Sequence, residues 1–125
     1  MPELPEVEVV RRGIDAWATN RTISRVDVLH ARSIRRCEGG APELRAALEG
    51  DSFRCASRRG KYLWLPLTRT NDQALVVHLG MSGQVLMQPP REEDETHLRV
   101  RVRFVDDDRE MRFVDQRTFG GMHVD

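Results

Sequence analysis

Apolar residues recur at Leu4, Val7, Val10, Ile14 and Trp17, in steps of three and four. That spacing marks one face of a helix and predicts a helix over 4–17. Pro5 suits the first helical turn, where its missing N–H costs nothing. The early glutamates suit the positive end of the helix dipole, with Arg11 and Arg12 further along. Beyond this point the period shortens to two. RTISRVDVLH (21–30) reads as a strand, with Val26 and Val28 alternating against polar neighbours. APELRAALEG (41–50) reads as a short helix, opened near Pro42 and stopped by Gly50. SFRCAS (52–57), KYLWLPL (61–67), QALVVHL (73–79) and GQVLMQ (83–88) read as short strands separated by turns.

HLRVRVRF (97–104) is the clearest alternation: Leu98, Val100, Val102 and Phe104 share one face, and Arg99, Arg101 and Arg103 share the other. VDDDRE (105–110) predicts a hairpin-type turn, EMRFVD (110–115) the returning strand, and QPPREEDET (88–96) a mobile loop. The pattern predicts a mainly β fold with α. Its form is a β-sandwich of about eight short, mostly antiparallel strands, flanked by the N-terminal helix and a second short helix. Residues 1–125 fit one domain, with no internal repeat.

Charge changes this picture by its placement, since 20 basic residues balance 20 acidic ones. Every basic residue except Lys61 is arginine, and the first half of the chain is arginine-rich. The acids gather in REEDE (91–95) and VDDDRE. Such a division suits a nucleic-acid face; on composition alone an ordinary solvated, arginine-preferring surface is the favoured reading. Cys37 and Cys55 are isolated, without the spacing of a zinc site, and are expected to be free thiols. No apolar run reaches membrane-spanning length, so no membrane partner is expected and a cytoplasmic location is.

The start, MPELPEVEVVRRG, carries the first candidate chemistry. Removal of Met1 before a small residue would leave Pro2 with a free secondary amine. An α-amine has an ordinary pKa of about 7.7–8.0 against about 10.4 for lysine, so much more of it is neutral near pH 7. Its attack on an aldehyde-like carbon gives an iminium ion, an electron sink for cleaving neighbouring bonds. Glu3 beside it could move protons at that carbon, and Glu6 lies one turn on. Capping and dipole effects account for proline and glutamate at a helix start without any such role.

Further along, Lys61 follows Gly60 at the head of an apolar strand, as a phosphate contact, a proton shuttle or a solvated turn residue. HLGMSG (78–83) sets Met81 among glycines, as a wedge between bases or as a side chain folded back on the sheet. DQRTFGG (115–121) places Arg117 and Phe119 two apart, so a strand end would point both to one side. A cation beside an aromatic suits a distorted duplex; a loop with one core phenylalanine is the plainer reading.

Taken in order, PELPEVE, RRGKYL, HLGMSG, His97 with its H-x-R-V, and DQRTFGG resemble formamidopyrimidine-DNA glycosylases across essentially the whole chain. Leu4 separates it from the endonuclease VIII relatives, which usually have glycine there. The resemblance implies base excision repair of DNA carrying 8-oxoguanine, formamidopyrimidines or abasic sites. It implies that Pro2 forms a Schiff base at the sugar C1′, and that β,δ-elimination follows. Glu3 would be the proton donor for ring opening, Glu6 a supporting carboxylate, and Lys61 the lysine of the elimination step. Met81, Arg117 and Phe119 would fill the void left by the flipped base, with arginine facing the orphaned cytosine. His97 would contact phosphate. Base flipping is what makes such a wedge necessary.

The family continues into a helix–two-turn–helix region and a zinc finger, so the chain is expected to be an N-terminal domain, excised or naturally truncated, without a cofactor of its own. Its activity and DNA affinity should be weak. The alternative is a non-catalytic folded fragment, able to self-associate, that does not bind DNA tightly. A sequence-specific DNA-binding module is disfavoured because no recognition helix can be identified.

Overall fold

A computed structural model describes residues 4–70, 72–106 and 108–125. Helix α1 (Leu4–Trp17) is followed by strand β1 (Ile23–Val28), a 3-10 helix (Ala31–Ile34) and helix α2 (Gly40–Leu48). The remaining strands are β2 (Ser57–Arg59), β3 (Tyr62–Pro66), β4 (Ala74–His78), β5 (Gln84–Gln88), β6 (Leu98–Phe104), β7 (Glu110–Val114) and β8 (Gly121–Val124). They form two four-stranded sheets, ordered β1-β6-β7-β5 and β2-β3-β4-β8, with antiparallel pairing throughout. This is the two-helix, eight-strand architecture that the alternation predicts. No helix among the described residues is long and apolar enough to cross a membrane.

One core fills the space between the layers. Val26, Val85, Val100, Val102 and Phe113 of the first sheet join Leu63, Leu65, Leu75 and Val77 of the second. Phe53 and Phe104 meet edge to face, ring centres 6.5 Å apart. Val7, Ile14 and Ala18 bury one side of α1 in the same cluster. Charge fixes the other side of the helix. Glu8 accepts from Arg11 (2.8 Å) and Arg12 (3.0 Å), and pairs with Arg58 at 3.4 Å. Arg11 also donates to the Ala56 carbonyl, and Asp15 accepts from the Ala56 amide. Trp17, grouped with the helix's apolar face in sequence, is instead partly exposed beneath the Arg109 guanidinium, 4.0 Å from its ring centre.

Several sequence expectations need correction. SFRCAS is not a strand. Phe53 makes single bridging pairs with Thr19 and Leu67, and extended pairing starts only at Ser57. The 3-10 helix and β8 have no forecast in the apolar pattern. Arg101 keeps to the second face of β6, as the alternation predicts, but that face is covered there. The residue is 9% exposed, and its Nε donates to Glu110 at 2.8 Å. Arg112, directly across the strands from Arg101, is completely buried and donates to the same Glu110 oxygen at 2.8 Å. Arg112 also holds the Glu92 and Glu93 carbonyls and the Glu95 carboxylate. The loop between β5 and β6 is therefore tied down rather than mobile, and its acids answer the arginines of the first sheet.

Candidate nucleic-acid interface

Strand order forces two connections together. β4 pairs with β8, so His78, the last residue of β4, lies opposite Gly121, the first of β8. β5 pairs with β7, so Gln84 lies opposite Val114. The two segments joining these strands, 79–83 and 115–120, must therefore run side by side between the sheets. Both cross at the same end of the sandwich.

They touch through backbone. A Cβ on Gly80 would lie 2.6 Å from the Gly120 nitrogen, and one on Gly120 would lie 2.3 Å from the His78 oxygen. Gly80 also has φ +63, a left-handed conformation that disfavours side chains. Gly80 of HLGMSG and Gly120 of DQRTFGG are thus needed for contact between the two segments. Met81 is 48% exposed and Phe119 43% exposed, and Arg117 is exposed as well. Residues 115–120 form a loop and not a strand end, with Thr118 itself at φ 54. Exposure of Arg117 and Phe119 hence comes from the loop rather than from strand alternation.

The 3-10 helix grips this loop from one side. Arg35 donates to the carbonyls of Phe119 and Gly120, each at 2.8 Å, and Arg32 donates to that of Thr118 at 3.1 Å. From the other side Asp115, fully buried, accepts from Ser82 Oγ at 2.7 Å and from the Gly120 amide at 2.9 Å. His97 is joined to the same place by backbone, its carbonyl accepting from the Asp115 amide at 3.0 Å.

Lys61 reaches the same end by register. It sits in the tight β2–β3 turn beside Gly60, whose φ of +62 such a turn requires. The next residue, Tyr62, lies opposite His78, and their rings stack with centres 4.6 Å apart. Burial lowers the His78 pKa, and the charges of Arg36, Arg35 and Lys61 lower it further, against the opposing pull of Asp115. His78 is therefore a neutral ring set among cations.

Glu6 lines a cleft of about 540 Å³ between α1 and β5, whose other walls include Val9, Val10, Met81 and Leu86. Glu6 thus shares a cavity with Met81. Pro2 and Glu3 lie outside the described residues. Glu6, Lys61, Met81, His97, Arg117 and Phe119 converge on one end of the sandwich.

Sequence reasoning passed over Asp115, Ser82, His78, Arg32 and Arg35. The first three sit inside quoted motifs but carry no periodicity of their own. The two arginines depend on the 3-10 helix, which the pattern does not announce. Cys37 and Cys55 are free thiols. Among the described residues no group of three or more His, Cys, Asp or Glu could hold a metal ion.

Two bacterial formamidopyrimidine-DNA glycosylases are each 58% identical over 99% of the chain. The one from Salinispora tropica is covered over 42% of its own length and the one from Streptomyces avermitilis over 43%. The chain therefore spans less than half the length of these relatives. Among solved structures, Lactococcus lactis Fpg in complex with DNA containing N7-benzyl-Fapy-dG superposes with a TM-score of 0.87 at 30% identity, covering 99% of this chain and 44% of that one. The same protein with abasic-site DNA gives 0.87 at 29% identity, with the same coverage. Residues 1–122 match the family model for the formamidopyrimidine-DNA glycosylase N-terminal domain, and the chain belongs to that family.

Proposed function

We propose that this domain works in base excision repair, removing 8-oxoguanine and formamidopyrimidines from duplex DNA and cleaving the strand at the abasic site. The observation that carries the reading is the convergence of Glu6, Lys61, Met81, Arg117 and Phe119 on one end of the sandwich, in a chain whose relatives are named for this chemistry. The described complexes of Lactococcus lactis Fpg with lesion-bearing and abasic DNA support duplex DNA as the partner.

In this reading the Pro2 nitrogen, freed by loss of Met1, attacks C1′ of the damaged nucleotide. The C1′–base bond breaks, and the base departs with its electron pair and takes up a proton. Glu3 donates a proton to the ring oxygen as the sugar opens, leaving an iminium between Pro2 and C1′. That iminium acidifies the C2′ hydrogen. Its removal expels the 3′ phosphate, and a second elimination expels the 5′ phosphate, with Lys61 serving these steps. Glu6 orients the reacting groups from the cleft wall. Met81 and Phe119, already exposed on the adjoining loops, enter the space the flipped nucleotide vacates, and Arg117 pairs with the orphaned cytosine. Base flipping costs a few kcal/mol, which stacking on an aromatic at about 1–3 kcal/mol per base offsets. The setting is the bacterial cytoplasm, at the nucleoid.

Activity of the 125-residue chain should be slow, because few phosphate contacts support only weak DNA binding. The test is base release from an 8-oxoguanine·cytosine duplex at low salt with protein in excess. Free 8-oxoguanine accompanied by β,δ-elimination products supports the proposal. Absence of both, from a chain proven by mass to start at Pro2, leaves a folded, non-catalytic domain.

A further inference from the structure

Asp115 is a fully buried carboxylate whose two oxygens serve different loops. Oδ1 accepts from the hydroxyl of Ser82, next to Met81, and Oδ2 accepts from the amide of Gly120, next to Phe119. Ser82 Oγ in turn accepts from the Arg117 amide at 3.2 Å. The backbone of Asp115 is held on both sides, its amide by the His97 carbonyl and its carbonyl by Arg99 Nε at 2.9 Å. One side chain thus stands at the junction of three exposed groups carried on two separate connections.

Burial of a carboxylate is costly unless its lone pairs are met. Here the donors come from the loops themselves, so the carboxylate is satisfied only while both loops hold their present positions. Displacing either one strands a buried anion, and that penalty falls on the pair together. The backbone contact of Gly80 with Gly120 adds a steric tie between the same two segments.

We infer that Asp115 is a positioning residue that makes the Met81 turn and the Arg117–Phe119 loop one mechanical unit, so that the three side chains move into and out of a duplex together. The DNA consequence rests on the function proposed above; the coupling itself does not.

The coupling is read without DNA. The Met81 methyl carries 13C and Phe119 carries 19F in the full chain, and relaxation dispersion is measured in the wild type and in Ser82→Ala. The Ser82 hydroxyl lies on the Met81 turn and also meets the Arg117 amide, so the variant loosens both loops, and independent loops would show exchange at unrelated rates. The expected result is exchange broadening at both nuclei with one shared rate. Broadening confined to Met81, or two unrelated rates, overturns the inference. Asp51→Asn supplies a control for general loosening, since Asp51 is also buried and accepts from the Ser52 and Arg69 amides away from these loops. It should broaden neither nucleus, and broadening there would equally overturn the claim.

A second arm uses DNA. Asp115→Asn should lower the preference for an abasic duplex over an abasic single strand about tenfold, the effect of one charge-assisted hydrogen bond. Single-strand affinity should hold, because no base stack has to be opened. Retention of the duplex preference in Asp115→Asn overturns the positioning role. A wild type with no duplex preference instead sinks the proposed function, and the dispersion result still decides the coupling.

Discussion

Two buried carboxylates, Glu110 and Asp115, lie five residues apart at the two ends of β7 and solve the same problem differently. Glu110 sits on the outer face of the first sheet between Arg101 and Arg112, each donating to it at 2.8 Å, with Asp94 adding a further acid to both arginines. Charge there is met by charge, and the result is a fixed sheet face with its neighbouring loop strapped down. Asp115 is met by a hydroxyl and a backbone amide, both from loops. The first arrangement uses arginines to hold the fold. The second uses neutral groups to shape two loops and leaves Arg117, Met81 and Phe119 outward. Arginine number therefore says little about the DNA face, because part of the supply is spent inside the protein.

The sharpest way to break the contrast is Glu110→Gln. Two guanidiniums would then face each other across the strands with only the exposed Asp94 carboxylate shared between them. Removing one partner of a buried pair costs about 3–5 kcal/mol. Urea unfolding should show that loss, while the 19F signal of Phe119 in the folded fraction stays in place. A loss below about 1 kcal/mol would mean that the network is solvated and adds little.

The next effect belongs to the loops. Gly80→Ala sets a methyl 2.6 Å from the Gly120 nitrogen at a φ of +63. It should cost roughly 2–3 kcal/mol and shift the resonances of both loops. Shifts limited to residues 79–83 would separate the loops that the contrast joins.

Smaller still in stability is Phe119→Ala. A side chain this exposed should move unfolding by no more than about 0.5 kcal/mol. Under the proposed function, affinity for an abasic duplex should fall by about 1–3 kcal/mol. Equal effects on stability and affinity would assign Phe119 to the core instead.

The smallest effect concerns acid. The hydrogen bond from Arg11 holds the Glu8 pKa at about 2, down from 4.5, opposed by partial burial and helped by Arg12 and Arg58. A depressed carboxylate pKa means the unfolded chain binds the proton first. The contribution is therefore complete above about pH 4.5 and disappears as pH falls toward 2. Glu8→Gln should flatten that part of the stability profile, followed by circular dichroism. An unchanged profile would show that α1 is held by Val7, Ile14 and Ala18 alone.

Helix α1 and strand β6 were legible because each pairs a strong period with one covered side. The burial of Arg101 was not legible, because period two separates the faces of a strand but does not reveal whether the second face is covered. Here the acidic loop covers it. SFRCAS misled because Phe53 is a core residue in an irregular segment, and local composition does not distinguish that from a strand. Lys61, Met81, Arg117 and Phe119 could be singled out from motif order, yet their meeting place depends on the pairing of β4 with β8 and β5 with β7, which no local pattern encodes. Asp115 was invisible as a junction because its partners, Ser82 and the Gly120 amide, are defined only by that pairing.

The central claim of the proposed function is that the Pro2 nitrogen, freed of Met1, is the nucleophile. Borohydride reduction during incubation with an abasic duplex tests it most directly, with the adduct located by peptide mass mapping on protein confirmed to begin at Pro2. The account predicts one deoxyribose-derived adduct on the Pro2 nitrogen, absent when a residue is kept ahead of Pro2. An adduct on Lys61, or none at any salt concentration, would contradict it.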